Sequence, residues 1–161
     1  GDEARVGFGE ELSAGLECVT VGSGQMTIRR NGLCDAGGIS WSATGTVPES
    51  GRLAGIEPDA RRFRPNSVVR LMRPNPVEED KWLGGVLLFG APGEGPRVSV
   101  TLLDGRCSIV NFDPDSARSA PEVMKSIVRM NQNNAGIYGT VIRTGRLAIG
   151  QTVHLQGLAE Q

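Results

Sequence analysis

Apolar and polar residues alternate in short runs along most of this chain. "ECVTV" (Glu17 to Val21) and "QMTIRR" (Gln25 to Arg30) flank Gly22-Ser23-Gly24 and predict a hairpin. "RPNSVVRLM" begins extended, because Pro65 pushes Arg64 out of helical space and has no N–H for a ladder. "GGVLLFG" and "PRVSVTLL" read as strands. Asp104-Gly105, between "VSVTLL" and "RCSIVNF", is a two-residue hairpin signal, and "GIYGTVIRTGRLAIGQTVHLQG" predicts two more strands around Thr144-Gly145. One helix stands out. Ser119 followed by Glu122 reads as a capping box with Pro121 in the first turn; Val123, Ile127 and Met130 share a face, and "NQNN" ends the run. A weaker helical stretch covers Pro48 to Leu53. The expected fold is mostly β, a closed or nearly closed barrel that hides its strand edges, with one or two peripheral helices.

Composition narrows the function classes. A chain of 161 residues predicts one domain, 1–161, and its 23 glycines and 9 prolines suit strands joined by tight turns. With 17 basic against 18 acidic residues, no global field recruits nucleic acid or anionic lipid. No apolar run approaches the roughly 20 residues that span a bilayer. "GDEARVGFGEEL" carries no basic-then-apolar signal pattern, and Cys18, Cys34 and Cys107 are an odd number without CxxC spacing. A reducing cytoplasm, without a disulfide framework, is the expectation. With one histidine, His154, a tetrahedral zinc site would need all three cysteines to converge.

The candidate chemistry centres on "LLDGRCSIVNFDPDS". An Asp-Gly hairpin sets Leu102 opposite Cys107, Val100 opposite Ile109 and Val98 opposite Asn111. On that apolar face Cys107 would be a small core hydrophobe. Against this, it lies beside a turn near a barrel mouth, and Arg106 would favour a thiolate if a bulge or bend turned it to the same side. "ARRFRPN" gathers Arg61, Arg62 and Arg64 around Phe63. Extended, Arg62 and Arg64 would share a face and grip a phosphate or carboxylate; otherwise they form a solvated basic loop balancing Glu78 to Asp80. "DPDS" could offer carboxylates to a hard cation or simply begin a turn. His154 alternates with Val153 and Leu155 and is expected to face solvent. "GSGQMT" is neither a P-loop nor a dinucleotide fingerprint.

Several segments together resemble the MOSC domain, the C-terminal domain of molybdenum cofactor sulfurases, which also occurs as a small stand-alone bacterial protein. "RRFRPNSVV" is similar to its Arg-Phe-Arg-Pro-Asn motif, and "EEDKWLGGVLLFG" to its Glu-Asp-x-Trp-x-Gly strand entry. "GRCSIVNFDPDS" resembles the segment with the family's cysteine followed by Asp-Pro, and "GIYGTVIRTGRLAIGQTVHL" its closing Gly-x-Tyr-Gly pattern. The segments stand in family order over about 39–155, leaving 1–38 as N-terminal strands of the same domain.

The resemblance implies a barrel that binds a pterin-based molybdenum cofactor (molybdopterin) or handles sulfur. It casts Cys107 as metal ligand and catalytic residue, Arg64 as contact for the cofactor's anionic groups, and Asn66 as the residue holding that loop. Tyr138 matches a position near the cofactor. "ISWSATG" corresponds loosely to a serine-containing segment, so that Ser42, with Ser40 or Thr44 as alternatives, joins Arg62 among the cofactor-binding candidates. The chain departs from the family at Gln151, where an aspartate is usual, and residues 1–38 are short for the N-terminal region of cofactor-reducing members. Larger sulfurases carry a pyridoxal-phosphate domain, and that cofactor is not expected here. Three functions follow: an oxidoreductase acting on N-hydroxylated compounds with an electron-transfer partner; a sulfur carrier taking a Cys107 persulfide from a cysteine desulfurase; or a binding barrel without chemistry. Neither nucleic acid nor membrane is expected as a partner.

Overall fold

The alternating segments become nine strands: β1 (Leu12–Val21), β2 (Gln25–Ile28), β3 (Ile39–Ala43), β4 (Ser67–Leu71), β5 (Val86–Phe89), β6 (Arg97–Gly105), β7 (Asn134–Arg143), β8 (Gly145–Ala148) and β9 (Thr152–Gln156). Two helices accompany them, α1 (Thr46–Ala54) and α2 (Glu122–Asn131). The computed structural model describes residues 12–21, 25–28, 38–91 and 93–157. Seven strands pair in the order β1-β4-β3-β7-β6-β5-β9, and β9 returns to β1, so the barrel closes. Closure leaves no open edge among these strands. β3 and β4 run parallel, with Trp41 opposite Ser67; the other barrel pairs are antiparallel.

Period-two alternation fills the barrel. Ile39, Trp41 and Ala43 of β3 join Val98 and Val100 of β6, Ile137 and Val141 of β7 and Val153 of β9 in one apolar cluster. Trp41 stacks on Phe89, ring centroids 5.0 Å apart. A second cluster lies under the helices: Val47 of α1, Val123 and Ile127 of α2, and Phe63 and Val110 from two short 3₁₀ turns, Ala60–Phe63 and Ser108–Asn111. Arg64 directly follows the first of these turns and Cys107 directly precedes the second, so this second core is what anchors the site.

Four local expectations are corrected. β1 and β2 do not pair with each other; β1 lies between β4 and β9, and β2 pairs with β8. Gly22-Ser23-Gly24, like Cys34, lies outside the described residues. Asp104-Gly105 is not a hairpin turn. β6 pairs with β5 at Arg97–Ser99 and with β7 along its other edge, and the chain beyond Gly105 turns into the short 3₁₀ segment Ser108–Asn111 instead of returning along β6. Third, β6 slips register against β7 between Val100 and Leu102 and again between Leu103 and Gly105. These bulges turn Leu102 outward, 51% exposed, and bury Asp104. Finally, Ser119 does not cap α2. It bridges Phe112, and the helix starts at Glu122 without a side-chain bond from its own N-cap residue. Instead Asn111 Oδ1 accepts the Met124 N–H at 3.0 Å, so the turn after Cys107 supplies the cap. At the other end Gln132 and Asn133, both at positive φ, stop the helix where "NQNN" predicts.

Candidate functional site

Two loops, together with Ser40 of β3 and Tyr138 of β7, line the candidate site. The first is 59–66. Asp59 caps the 3₁₀ turn through the Arg61 N–H, at 2.8 Å. Phe63, 2% exposed, sinks into the helical core. The next residue, Arg64, is forced into the left-handed region at φ 48° and remains exposed. A non-glycine residue in that region costs roughly 1–3 kcal/mol unless its surroundings hold it there. Here they do. Asn66 Oδ1 accepts from the Ser40 N–H (2.9 Å) and Ser40 Oγ (3.0 Å), while the Asn66 N–H donates to the Ser40 carbonyl at 3.0 Å. The Arg64 loop is thereby tied to β3.

The second loop, 104–111, carries the thiol. Cys107 stands in extended backbone just before the Ser108–Asn111 turn, whose Val110 is buried. The cysteine itself is exposed. This excludes the inert-core reading: the apolar face opposite Leu102 does not form, and the thiol is presented outward.

Between the loops lies a cavity of about 470 Å³. Cys107, Arg64, Asn66, Tyr138 and Ser40 line it, together with Phe63, Asp104, Gly105, Arg106 and Ile109. Of the predicted site residues, Cys107, Arg64, Asn66 and Tyr138 therefore share one cavity. Ser42 does not line it. Two positions along β3 from Ser40, it is 3% exposed and packed beneath Gly136. Thr44 accepts the Leu71 N–H instead. Arg62 is also elsewhere. Its guanidinium donates to the Asn111 carbonyl at 3.0 Å and to Asp113 at 3.2 Å, and with Arg64 it borders a smaller neighbouring pocket instead. The basic loop is balanced by "DPDS", not by Glu78 to Asp80: Arg61 pairs with Asp59 and Asp115. Asp113 Oδ1 also accepts from Ser116 N–H and Oγ, the turn reading of that segment. His154 is half-buried and not fully solvent-facing, with Nδ1 unpartnered.

Asp104, read from the sequence only as part of a turn, and Arg106, read as an aid to the thiolate, both line the cavity. Arg106 Nη1 binds Asp104, Nη2 donates to the Phe63 carbonyl, and the guanidinium lies over the Phe63 ring, 5.5 Å from its centroid. Burial pushes the Asp104 carboxyl up to about 6, opposed by the Arg106 charge and by hydrogen bonds from Arg106 and Tyr138. Arg64 differs. Its guanidinium makes no ion pair or side-chain hydrogen bond among the described residues. A polar cavity lined by both a free guanidinium and an accessible thiol can hold an anionic ligand and present sulfur to it. Among the described residues no three His, Cys, Asp or Glu side chains gather as a metal site.

The MOSC domain model matches residues 40–154 of this chain, which includes both loops and seven of the nine strands. The chain belongs to the MOSC domain family. Its fold is similar to that of the YuaD protein of Bacillus subtilis, with a TM-score of 0.64 at 14% identity over 91% of this chain and 96% of that one. YiiM from Geobacillus stearothermophilus is also similar, with a TM-score of 0.60 at 19% identity, covering 81% of this MOSC chain and 60% of that one. Among curated proteins none matches. No helix among the described residues is long and apolar enough to cross a membrane. The molybdenum cofactor is associated with the MOSC family as a whole.

Proposed function

We propose that the cavity binds a pterin-based molybdenum cofactor, with Cys107 as protein ligand to the metal and Arg64 as contact for an anionic group of the pterin, and that the protein is an oxidoreductase for N-hydroxylated compounds. One observation carries the reading: an exposed thiol and an uncommitted guanidinium line a single cavity. The donor set fits the group. A soft thiolate suits molybdenum, and a planar fork of N–H donors suits a phosphate. The cavity volume, about 470 Å³, lies within the ordinary range for cofactor sites. When bound, the cofactor supplies two-electron redox chemistry. The chain's own residues bind and orient: Ser40 and Asn66 fix the Arg64 loop, and Val110 and Phe63 anchor the two walls. Protein purified from a molybdenum-competent host should contain near-stoichiometric molybdenum, lost in Cys107→Ser. Metal-free wild type from that host would refute the reading.

A second reading rests on the accessibility of Cys107. As a sulfur carrier, its thiolate attacks the outer sulfur of a desulfurase persulfide, the donor cysteine leaves as thiolate, and Cys107 keeps the sulfur. Incubation with a cysteine desulfurase and cysteine should add one sulfur to Cys107 by mass spectrometry; an unmodified thiol removes this reading.

A further inference from the structure

Arg106 stands immediately before Cys107 and invites the role of thiol activator, yet its bonds point elsewhere. One arm holds the buried carboxylate of Asp104; the other holds the carbonyl of Phe63, the residue before Arg64. Its side chain is 8% exposed and lies over the Phe63 ring. Its backbone is fixed as well: the Arg106 N–H donates to the Asn133 carbonyl at 2.9 Å, and Asn133 Nδ2 donates back to the Arg106 carbonyl at 2.9 Å. Arg106 is therefore the neighbour of Cys107 in sequence and of Arg64 in space. No other side chain described touches the backbone on either side of the Phe63–Arg64 link from the cysteine loop in this way.

We propose that Arg106 is a positioning residue, which clasps the arginine loop to the cysteine loop so that the Arg64 guanidinium and the Cys107 thiol address the same bound molecule. This rests on the reading of the cavity as one ligand site. Arg106 reaches the carboxylate and the carbonyl from two separate nitrogens of a rigid planar fork, whereas the three donors of a lysine ammonium all radiate from one nitrogen. Small displacements between two groups that act together are costly even when each group remains intact.

The test uses the full chain from a host unable to make the cofactor, so that the thiol is open. Alkylation of Cys107, followed by mass spectrometry, is compared for iodoacetate, an anion, and iodoacetamide, its neutral counterpart. The ratio of the two rates cancels the thiolate fraction and reports the cation beside the sulfur. In the wild type that ratio should exceed the ratio for a small free thiol by about fivefold, the effect of one unit charge at contact distance in water. Arg64→Gln should abolish the excess. Arg106→Lys keeps a cation for Asp104 and so preserves the buried pair, but it loses the second arm. It should bring the ratio down to that of Arg64→Gln, while the iodoacetamide rate changes little. The double variant Asp104→Asn with Arg106→Gln, which removes both buried charges at once, should do the same and covers the case where the lysine variant does not fold. A folded variant of either kind that keeps the wild-type excess overturns the proposal. A wild-type ratio no higher than the free thiol's instead sinks the shared-site reading beneath it, and molybdenum content tests the cofactor separately.

Discussion

Glu79 gives the most quantitative test of how this barrel is held together. Its side chain is fully enclosed; Oε2 accepts from Thr46 Oγ1 at 2.7 Å, while Oε1 has no partner. Burial pushes the carboxyl from its ordinary 4.5 up to about 7, against the pull of hydrogen bonds from Thr46 and nearby backbone. A displacement of that size corresponds to roughly 3 kcal/mol of differential stability. The sign follows from the direction. A carboxyl with a raised folded-state value binds its proton more tightly in the folded chain, so folding loses stability as pH rises from about 4.5 to about 7. Below that window the proton is present in both states and the penalty is absent. Glu79→Gln removes the titration, keeps the shape and leaves an acceptor for Thr46. Its amide nitrogen inherits the unpartnered position, a cost of about 1–3 kcal/mol that does not vary with pH. Urea unfolding of wild type and Glu79→Gln at pH 5 and pH 8 isolates the effect. The stability difference between the two proteins should move in favour of the glutamine variant by about 2.5 kcal/mol between those pH values, the remainder of the effect lying below pH 5. A difference independent of pH would refute the assignment of a buried, unpaired carboxylate.

Other substitutions probe the frame of the site. Gly136→Ala places a Cβ 2.7 Å from the Trp41 carbonyl at a φ of 102°, and thermal unfolding should show a loss of about 2 kcal/mol or more. Phe63→Ala removes the anchor before Arg64 and should cost about 3–5 kcal/mol in denaturant titration. Asn111→Ala uncaps α2 from outside and should cost about 1 kcal/mol by the same measurement, with the m-value unchanged. Arg62→Gln should retain most of the bound molybdenum in metal analysis, while Arg64→Gln loses most of it, because only Arg64 lines the cavity.

Much of the barrel was legible because the strands carry local signals of their own, alternation with one-sided burial in β6 and a short apolar run in β5. Val98 and Val100, or Trp41 and Ala43, announce an inward side whatever their partners are. Pairing partners were not legible. "ECVTV" and "QMTIRR" look like a hairpin locally, yet closure of the barrel gives β1 two distant neighbours. Asp104-Gly105 failed for the same reason, with the added pull of a buried Arg106 on the Asp104 carboxylate. At the site, the Arg-Pro-Asn and cysteine motifs pointed to residues that do share a cavity. Arg62 does not line the cavity that holds Arg64 and Cys107, because a 3₁₀ turn, invisible to a reading of "ARRF" as extended chain, directs its guanidinium to Asn111 and Asp113. The motif Gly-x-Tyr-Gly also has a steric meaning that a pattern does not disclose. A Cβ at Gly139 would meet Val98 Cγ1 at 2.3 Å, and one at Gly136 the Trp41 carbonyl, so the glycines let β7 pack closely while Tyr138 reaches the cavity.

The four arginines of the two loops show how a nearly neutral protein can present a localised charge. Arg61 is held by Asp59 and Asp115, Arg62 by Asp113 and a carbonyl, and Arg106 by Asp104 and a carbonyl. Each pairing ties one stretch of backbone to another and cancels its own field. Arg64 receives no such partner among the described residues and is held in a left-handed conformation that arginine does not favour. Folding alone would gain from relaxing that residue or supplying it with a carboxylate. The surrounding bonds do the reverse: Phe63 is buried before it, Asn66 is locked to Ser40 after it, and Arg106 fixes the carbonyl between. Three committed guanidinium groups thus make the scaffold that keeps the fourth available beside an exposed sulfur. Strain at that position is what the proposed anionic ligand would account for, since such a ligand would supply the countercharge that folding withholds from Arg64.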